Sequence, residues 1–176
     1  MLTGERVTLR PIREDDLPTL YEWRIDMDTW ALTQDTAPYP MTWERFVART
    51  REAGANGAVE FAVDAGGELV GRVGLFKFDP LARSYEVGLS FGPGHRGKGY
   101  GREALALVVD LAFRHHNAHR VHLSCLATNV AAERCYRAAG FVEEGRRRQS
   151  APSRWNRRRV SPWTRARRIR RRWWCR

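Results

Sequence analysis

Between Arg96 and Gly101 the chain reads RGKGYG, so that Gly97, Gly99 and Gly101 remove the side chain from every second residue. Successive backbone N–H groups in such a run turn into one concavity, and the apolar-faced helix expected from Arg102 to about His115 adds the positive end of its dipole. The result is a nest for a phosphate or pyrophosphate, with Arg96 and Lys98 supplying charge beside it. Two familiar phosphate loops do not fit. A P-loop needs Gly-Lys followed by Ser or Thr, and Lys98 is followed by Gly99. A dinucleotide fingerprint needs G-x-G-x-x-G early in a βαβ unit, whereas here G-x-G-x-G follows an antiparallel meander.

A second constellation lies further on, in NVAAERCYRAAGF (129–141), where a helix opens at Asn129 and carries Tyr136. The spacing R-x-x-G-x-G of Arg96, Gly99 and Gly101, after the strand YEVGLSF, resembles the pyrophosphate-binding motif of the GNAT superfamily of N-acetyltransferases. Asn129, Ala132, Tyr136, Gly140 and Phe141 fall where that superfamily places its Asn, Ala, Tyr, Gly and Phe. The resemblance runs from residue 5 to about residue 149 and is nearest to the branch that includes ribosomal-protein alanine acetyltransferases and spermidine acetyltransferases.

The resemblance implies an α/β (α+β) GNAT fold, a mixed and mostly antiparallel sheet splayed between parallel strands 85–91 and 120–127, with helices on both faces. Acetyl-CoA is then the cosubstrate and no metal takes part. Where two strands separate, unpaired backbone groups appear, and pantetheine amides pair with them like an added strand. Leu89 and Phe91 are the expected backbone partners. Arg96, Gly97, Lys98, Gly99, Tyr100, Gly101 and Arg102 are expected around the phosphates, with Asn129 and Tyr136 along the arm. For Asn129, an N-cap on the helix from Val130 is an equally good reading, and both hold together.

Direct acetyl transfer to an amine needs a neutral nucleophile, a donor for the oxyanion and a proton for the leaving thiolate. An alkylamine is mostly protonated at neutral pH, so a carboxylate or a water that it orients must collect the proton. Glu86, on the strand before the loop, is the candidate, against the ordinary alternative of a surface or salt-bridged glutamate. Tyr136 is the candidate proton donor, against an aromatic packed on Phe141 or Phe113. A backbone N–H near Phe91 would meet the oxyanion.

These residues need positioning elements. RVTLRPI (6–12) alternates as a strand, and Asp15 or Asp16 can cap a helix through Leu17, Leu20, Tyr21 and Trp23. Residues 27–40 read as irregular, and Thr42 as the N-cap of a second helix carrying Trp43, Phe46 and Val47. Residues 59–78 read as a hairpin turning at Gly66-Gly67, Tyr85–Phe91 as a strand, Val121–Ala127 as another, Val130–Ala139 as a helix and Phe141 as the start of a last strand. Trp23, Trp30, Tyr39 and Trp43 are placed either along the acceptor pocket or in the core. His115, His116, His119 and His122 straddle a helix end, a turn and a strand, which suits a solvated helix terminus better than a metal site.

Charge separates the chain into a domain at 1–145 and an atypical tail at 146–176. The net charge of +11 comes from 31 basic and 20 acidic residues; 14 of the arginines and none of the acids lie in the tail, leaving 17 against 20 and a formal −3 for the body. The body therefore resembles an ordinary enzyme domain. In the tail, Arg, Trp and Pro show almost no strand periodicity, where similar enzymes continue into a closing apolar strand. A frame change in GC-rich DNA is one account, tested by sequencing the 3′ end of the gene. RNA binding through stacked tryptophans and arginines is the rival.

No stretch approaches the roughly 20 apolar residues that span a bilayer, the N-terminus lacks a secretory apolar run, and Cys125, Cys135 and Cys175 show no metal spacing, all of which implies reduced thiols in the cytoplasm. Cys125 reads as a small buried apolar residue. The acceptor implied by resemblance is a protein N-terminus first, a polyamine or amine-bearing antibiotic second. A binding-only acetyl-CoA sensor is the third class, and a monomer or homodimer is expected.

Overall fold

The expected hairpin forms in the computed structural model, which describes residues 1–33, 41–55, 57–146 and 160–166. Strand β3 (Val59–Ala65) pairs antiparallel with β4 (Glu68–Asp79), from Val59↔Leu75 to Ala65↔Glu68. Gly66 and Gly67 turn the chain with φ of 66° and 88°, where a Cβ is penalised and glycine is not.

Around this hairpin stand β1 (Leu2–Thr3), β2 (Thr8–Arg10), β5 (Ser84–Phe91), β6 (Arg120–Leu126), β7 (Val142–Glu143) and β8 (Val160–Ala166). The sheet order is β1-β2-β3-β4-β5-β6-β8-β7. Every neighbouring pair is antiparallel except β5 and β6, so the sheet is mixed in the expected way.

Helices cover both faces, and adjacent residues of one strand show it. Val70 is buried with Leu105, Val108 and Val109 of α4 (Tyr100–Arg114). Leu69, pointing the other way, packs with Leu17 and Leu20 of α1 (Leu17–Ile25) and Phe46 of α3 (Trp43–Ala55). Helix α3 starts as expected, with the Arg45 N–H donating to Thr42 Oγ1 at 3.3 Å. Helix α5 (Val130–Ala138) completes the α4 side, putting Tyr136 into the same core cluster. Among the described residues no helix is long and apolar enough to cross a membrane.

Four differences from the sequence reading have physical causes. Residues 27–33 are helical rather than irregular, forming α2 (Met27–Thr33), because the Asp26 carboxylate accepts the Thr29 N–H at 2.7 Å and opens a new helix where α1 ends. Asp16 stands at the N-cap position of α1 but makes no side-chain cap there. Its two oxygens accept Nη1 and Nη2 of the buried Arg10 at 2.7 and 2.9 Å, and Oδ2 also takes the Arg13 N–H at 2.7 Å. Helix α4 begins at Tyr100, two residues earlier than expected.

The fourth difference lies in the stretch set apart as a tail. Val160–Ala166 is a strand and pairs along all of β6, from Leu126↔Val160 to Arg120↔Ala166. Backbone hydrogen bonding needs no alternating side chains, and β6 would otherwise expose an unpaired edge. Pro162, which lacks an N–H, falls just beyond the Val142↔Thr164 and Glu143↔Trp163 rungs shared with β7. Tyr39, Cys175, Trp155, Trp173 and Trp174 lie outside the described residues.

Candidate active site

The parallel pair holds for only three rungs: Ser84↔Arg120, Tyr85↔Val121 and Glu86↔His122. Past that point β5 stays on β4 as far as Gly71↔Phe91, while β6 follows β8. A gap opens between them. The Gly92 N–H donates to the Val70 carbonyl of β4 at 3.1 Å, so by strand alternation the N–H groups of Ser90 and Gly88 also face β4. Those of Leu89 and Phe91 turn toward the gap. A cleft of about 2030 Å³ runs through it and is lined by Glu86, Leu89, Phe91, all of 96–102, Asn129 and Tyr136.

At the open end, Gly97 and Gly99 take φ of 76° and 87°. Gly99 precedes α4 and makes no side-chain cap, which leaves the first-turn N–H groups for a ligand. Gly101 serves differently. Its φ is not positive, and a Cβ there would stand 3.3 Å from Cys135 Sγ and 3.4 Å from the Phe91 ring, so glycine permits close packing of α4 on β5 and α5. Lys98 and Arg102 are exposed at the rim.

Arg96 lines the same cleft and is held by two hydrogen bonds. Its Nε donates to the Phe91 carbonyl at 3.0 Å and its Nη2 to Thr29 Oγ1 at 2.7 Å, tying the loop to the end of β5 and to α2. The Phe91 carbonyl is thereby occupied, and its N–H is the backbone group left toward the gap. On the far side, Arg6 Nη1 donates to the Lys98 carbonyl at 3.3 Å, while Glu103 Oε1 accepts the N–H groups of Arg6 and Val7 at 2.8 and 3.3 Å.

A family profile described as "Acetyltransferase (GNAT) domain" matches residues 6–142. The chain belongs to the GNAT acetyltransferase family. Spermidine N(1)-acetyltransferase of Vibrio cholerae is 28% identical over 143 residues, covering 81% of this chain and 82% of that one. The N-acetyltransferase YnaD of Bacillus subtilis is 25% identical, covering 82% and 84%. The crystal structure of the Vibrio cholerae spermidine N-acetyltransferase in complex with CoA and spermine superposes with a TM-score of 0.83 at 23% identity, covering 92% and 95%.

This GNAT enzyme is an acetyl-CoA-dependent N-acetyltransferase, and its cleft fits that donor in kind. The open end offers uncapped helix N–H groups and glycine turns for phosphate, and the gap offers unpaired strand amides for a pantetheine arm.

Tyr136 is buried in the core beside Val87 and Leu123, with its ring 6.3 Å from Phe141, and still lines the cleft. Burial, reinforced by the neighbouring Cys125 and Cys135, raises its phenol pKa and keeps the proton on. Glu86 lies on the opposite face of the sheet, the parity that sequence leaves undecided. Its side chain is mostly buried and pairs with Lys77 Nζ at 2.7 Å. Asn129 Oδ1 accepts the Ala132 N–H at 3.0 Å, so the N-cap reading of this residue holds. Cys125 and Cys135 are half-buried thiols on the cleft wall, and burial pushes Cys135 up.

Of the tryptophans placed either in pocket or core, Trp30 is buried under the Arg24 guanidinium, 4.2 Å from its ring. Trp43 packs edge-on to Tyr21 at 5.5 Å. Trp23 alone of the three lines a second cavity of about 180 Å³, with Glu60, Arg72 and Phe76. Among the described residues no group of His, Cys, Asp or Glu could hold a metal ion. His116 Nδ1 meets Tyr85 Oη at 3.4 Å. His122 is the exception in that group of four histidines, since it lies on the cleft wall opposite Glu86. Reading it as part of a helix terminus misses it, although strand register with Glu86 would have found it.

Proposed function

We propose that the acceptor is a small-molecule primary amine of the polyamine kind, attacking acetyl-CoA directly in a ternary complex. The observation that carries this reading is a pair of carboxylates on the sheet face opposite α4. Glu60 on β3 stands opposite Gly74 on β4, Gly74 stands opposite Gly88 on β5, and Glu86 is two residues along β5 on the same face. The two glycines leave room for the Phe76 ring, whose Cε2 would lie 3.2 Å from a Cβ on Gly88. Glu60 pairs with Arg72 at 3.8 Å and Glu86 with Lys77 at 2.7 Å; two carboxylates bracketing an aromatic floor suit an alkylammonium chain that replaces those partners, through charge and cation–π attraction. Spermidine acetyltransferases among the relatives support the same class, ahead of the protein N-terminus that motif resemblance puts first.

In this reading the loop 96–101 and the first turn of α4 hold the pyrophosphate, with Lys98 and Arg102 at the rim and Tyr100 in the turn. Leu89 and Phe91 pair with the pantetheine arm, and Asn129 borders it. Glu86, or a water that it orients, takes the ammonium proton. The phenol of Tyr136 gives its proton to the departing sulfur, and a gap-facing N–H of β5 meets the developing oxyanion. Thiol release and mass spectrometry over spermidine, spermine and a peptide with a ribosomal-protein N-terminus test the acceptor. Acetylated polyamine with an untouched peptide is expected; preference for the peptide overturns the proposal.

A further inference from the structure

His122 is the last residue of β6 to pair with β5 before the strands part, and its partner on that rung is Glu86. A donor laid along the gap from loop 96–101 must end against this rung, because here the gap closes. The His122 side chain shares the face of Glu86 and lines the cleft. Its Nδ1 is buried and, among the described residues, has no hydrogen-bond partner, whereas buried polar atoms nearly always have one.

The sealed nitrogen biases the hydrogen's place. A neutral imidazole carries one N–H, and an orphaned buried N–H is the rarer of the two possible defects. The burial favours a bare Nδ1 with the hydrogen on Nε2. Gaining a second proton would bury an unpartnered charged N–H, so the ring is a poor base. Burial indeed lowers the His122 pKa. Glu86 on β5 and Glu144 beyond β7 pull it back up, while Arg120 on its own strand and Lys77 on β4 act in the same sense as burial.

We propose that the Nε2–H of His122 is a catalytic hydrogen-bond donor to the acetyl carbonyl at the closed end of the gap, complementing the backbone N–H supplied by β5. This inference rests on acetyl-CoA lying between β5 and β6 and is independent of which amine is the acceptor.

The test begins with ¹⁵N-histidine-labelled wild-type enzyme. Imidazole correlations from pH 6 to 8 should show His122 protonated at Nε2 and bare at Nδ1, and acetyl-CoA should move the Nε2–H signal further downfield than CoA does. His122→Phe should lower kcat about 10²-fold with KM for acetyl-CoA unchanged. His122→Gln, which keeps an N–H near the same place, should restore most of it. An Nδ1–H tautomer, or identical spectra with CoA and acetyl-CoA, overturns the proposal even if both variants fail to fold. Calorimetry on the wild type separates the two levels: acetyl-CoA that binds without moving the His122 signal sinks this inference alone, whereas acetyl-CoA that does not bind sinks the cleft assignment.

Discussion

Tyr136 and Glu86 reach one gap from opposite faces of the sheet. The tyrosine arrives from the α5 side, within the core that holds Val87 and Leu123. The glutamate arrives from the side of α1 to α3, with Lys77 as its ion-pair partner. A proton donor and a proton acceptor separated in this way cannot short-circuit by exchanging a proton directly. The splay of β5 from β6 is what lets both see the same atoms.

Tyr136→Phe removes only the hydroxyl from a buried ring and should lower kcat about 10²-fold or more, with little change in stability. Because burial holds the phenol above its ordinary range, it stays protonated to higher pH than a free tyrosine. The alkaline limb of the wild-type kcat profile should therefore lie above pH 10, the ordinary tyrosine value. Steady-state thiol release checks both, and undiminished transfer by the variant removes Tyr136 from the chemistry.

The hydrogen bonds of Arg96 predict a division of labour among the loop cations. Lys98→Gln should flatten the salt dependence of CoA affinity, because an exposed rim cation interacts with phosphate through water and salt. Arg96→Gln should leave that slope intact while weakening affinity at every ionic strength, since its guanidinium holds the Phe91 carbonyl and the Thr29 hydroxyl. Calorimetry at low and high salt distinguishes the two, and equal slopes for both variants would contradict the assignment.

Gly97 and Gly99 should not respond alike to alanine. Gly97→Ala meets open space and suffers only the left-handed backbone, about 1 kcal/mol. Gly99→Ala adds a Cβ 3.0 Å from Arg6 Nη1, so it also disturbs the bond from Arg6 to the Lys98 carbonyl. CoA affinity should fall more for Gly99→Ala, and a titration series that ranks them the other way refutes this account of the loop.

Asp16→Asn should destabilise the fold by about 2 kcal/mol, by removing the two-pronged partner of the buried Arg10 and leaving it Asp64 alone. The Arg10 hydrogen bonds hold the Asp16 carboxyl below its ordinary value. Its stabilising contribution is therefore complete above about pH 4 and fades as acid protonates it in the folded state. Denaturant melts from pH 7 down to pH 2 should converge for wild type and variant at the acid end; curves that stay parallel would rule out the ion pair as the cause.

Short-range patterns are what the chain discloses before it is folded. The glycine loop and the Asn129 to Tyr136 helix are legible because each needs only its own neighbours, and the hairpin at Gly66-Gly67 is legible for the same reason. Arg96 is not, since its partner Thr29 lies 67 residues away on a helix whose sequence lacks periodicity. Only the Asp26 cap, three residues before Thr29, hints at that helix. Glu86 and His122 depend on register between two strands, which decides face and depth together. The strand at Val160–Ala166 is held by the backbone edge of β6, and composition is silent about edges.

The clasp of Arg6 and Val7 on Glu103, 97 and 96 residues away, means that the anion nest is completed by the beginning of the chain. A refolding molecule that has built β5, the loop and α4 but has not yet brought back the segment at Arg6 and Val7 owns the nest's residues without its final shape. Such long-range closure is slow, and a ligand that favours the closed form draws the chain toward it by mass action. Coenzyme added during refolding should thus act as a template for docking the segment at Arg6 and Val7, and the onset of binding would time the moment when the two distant segments meet.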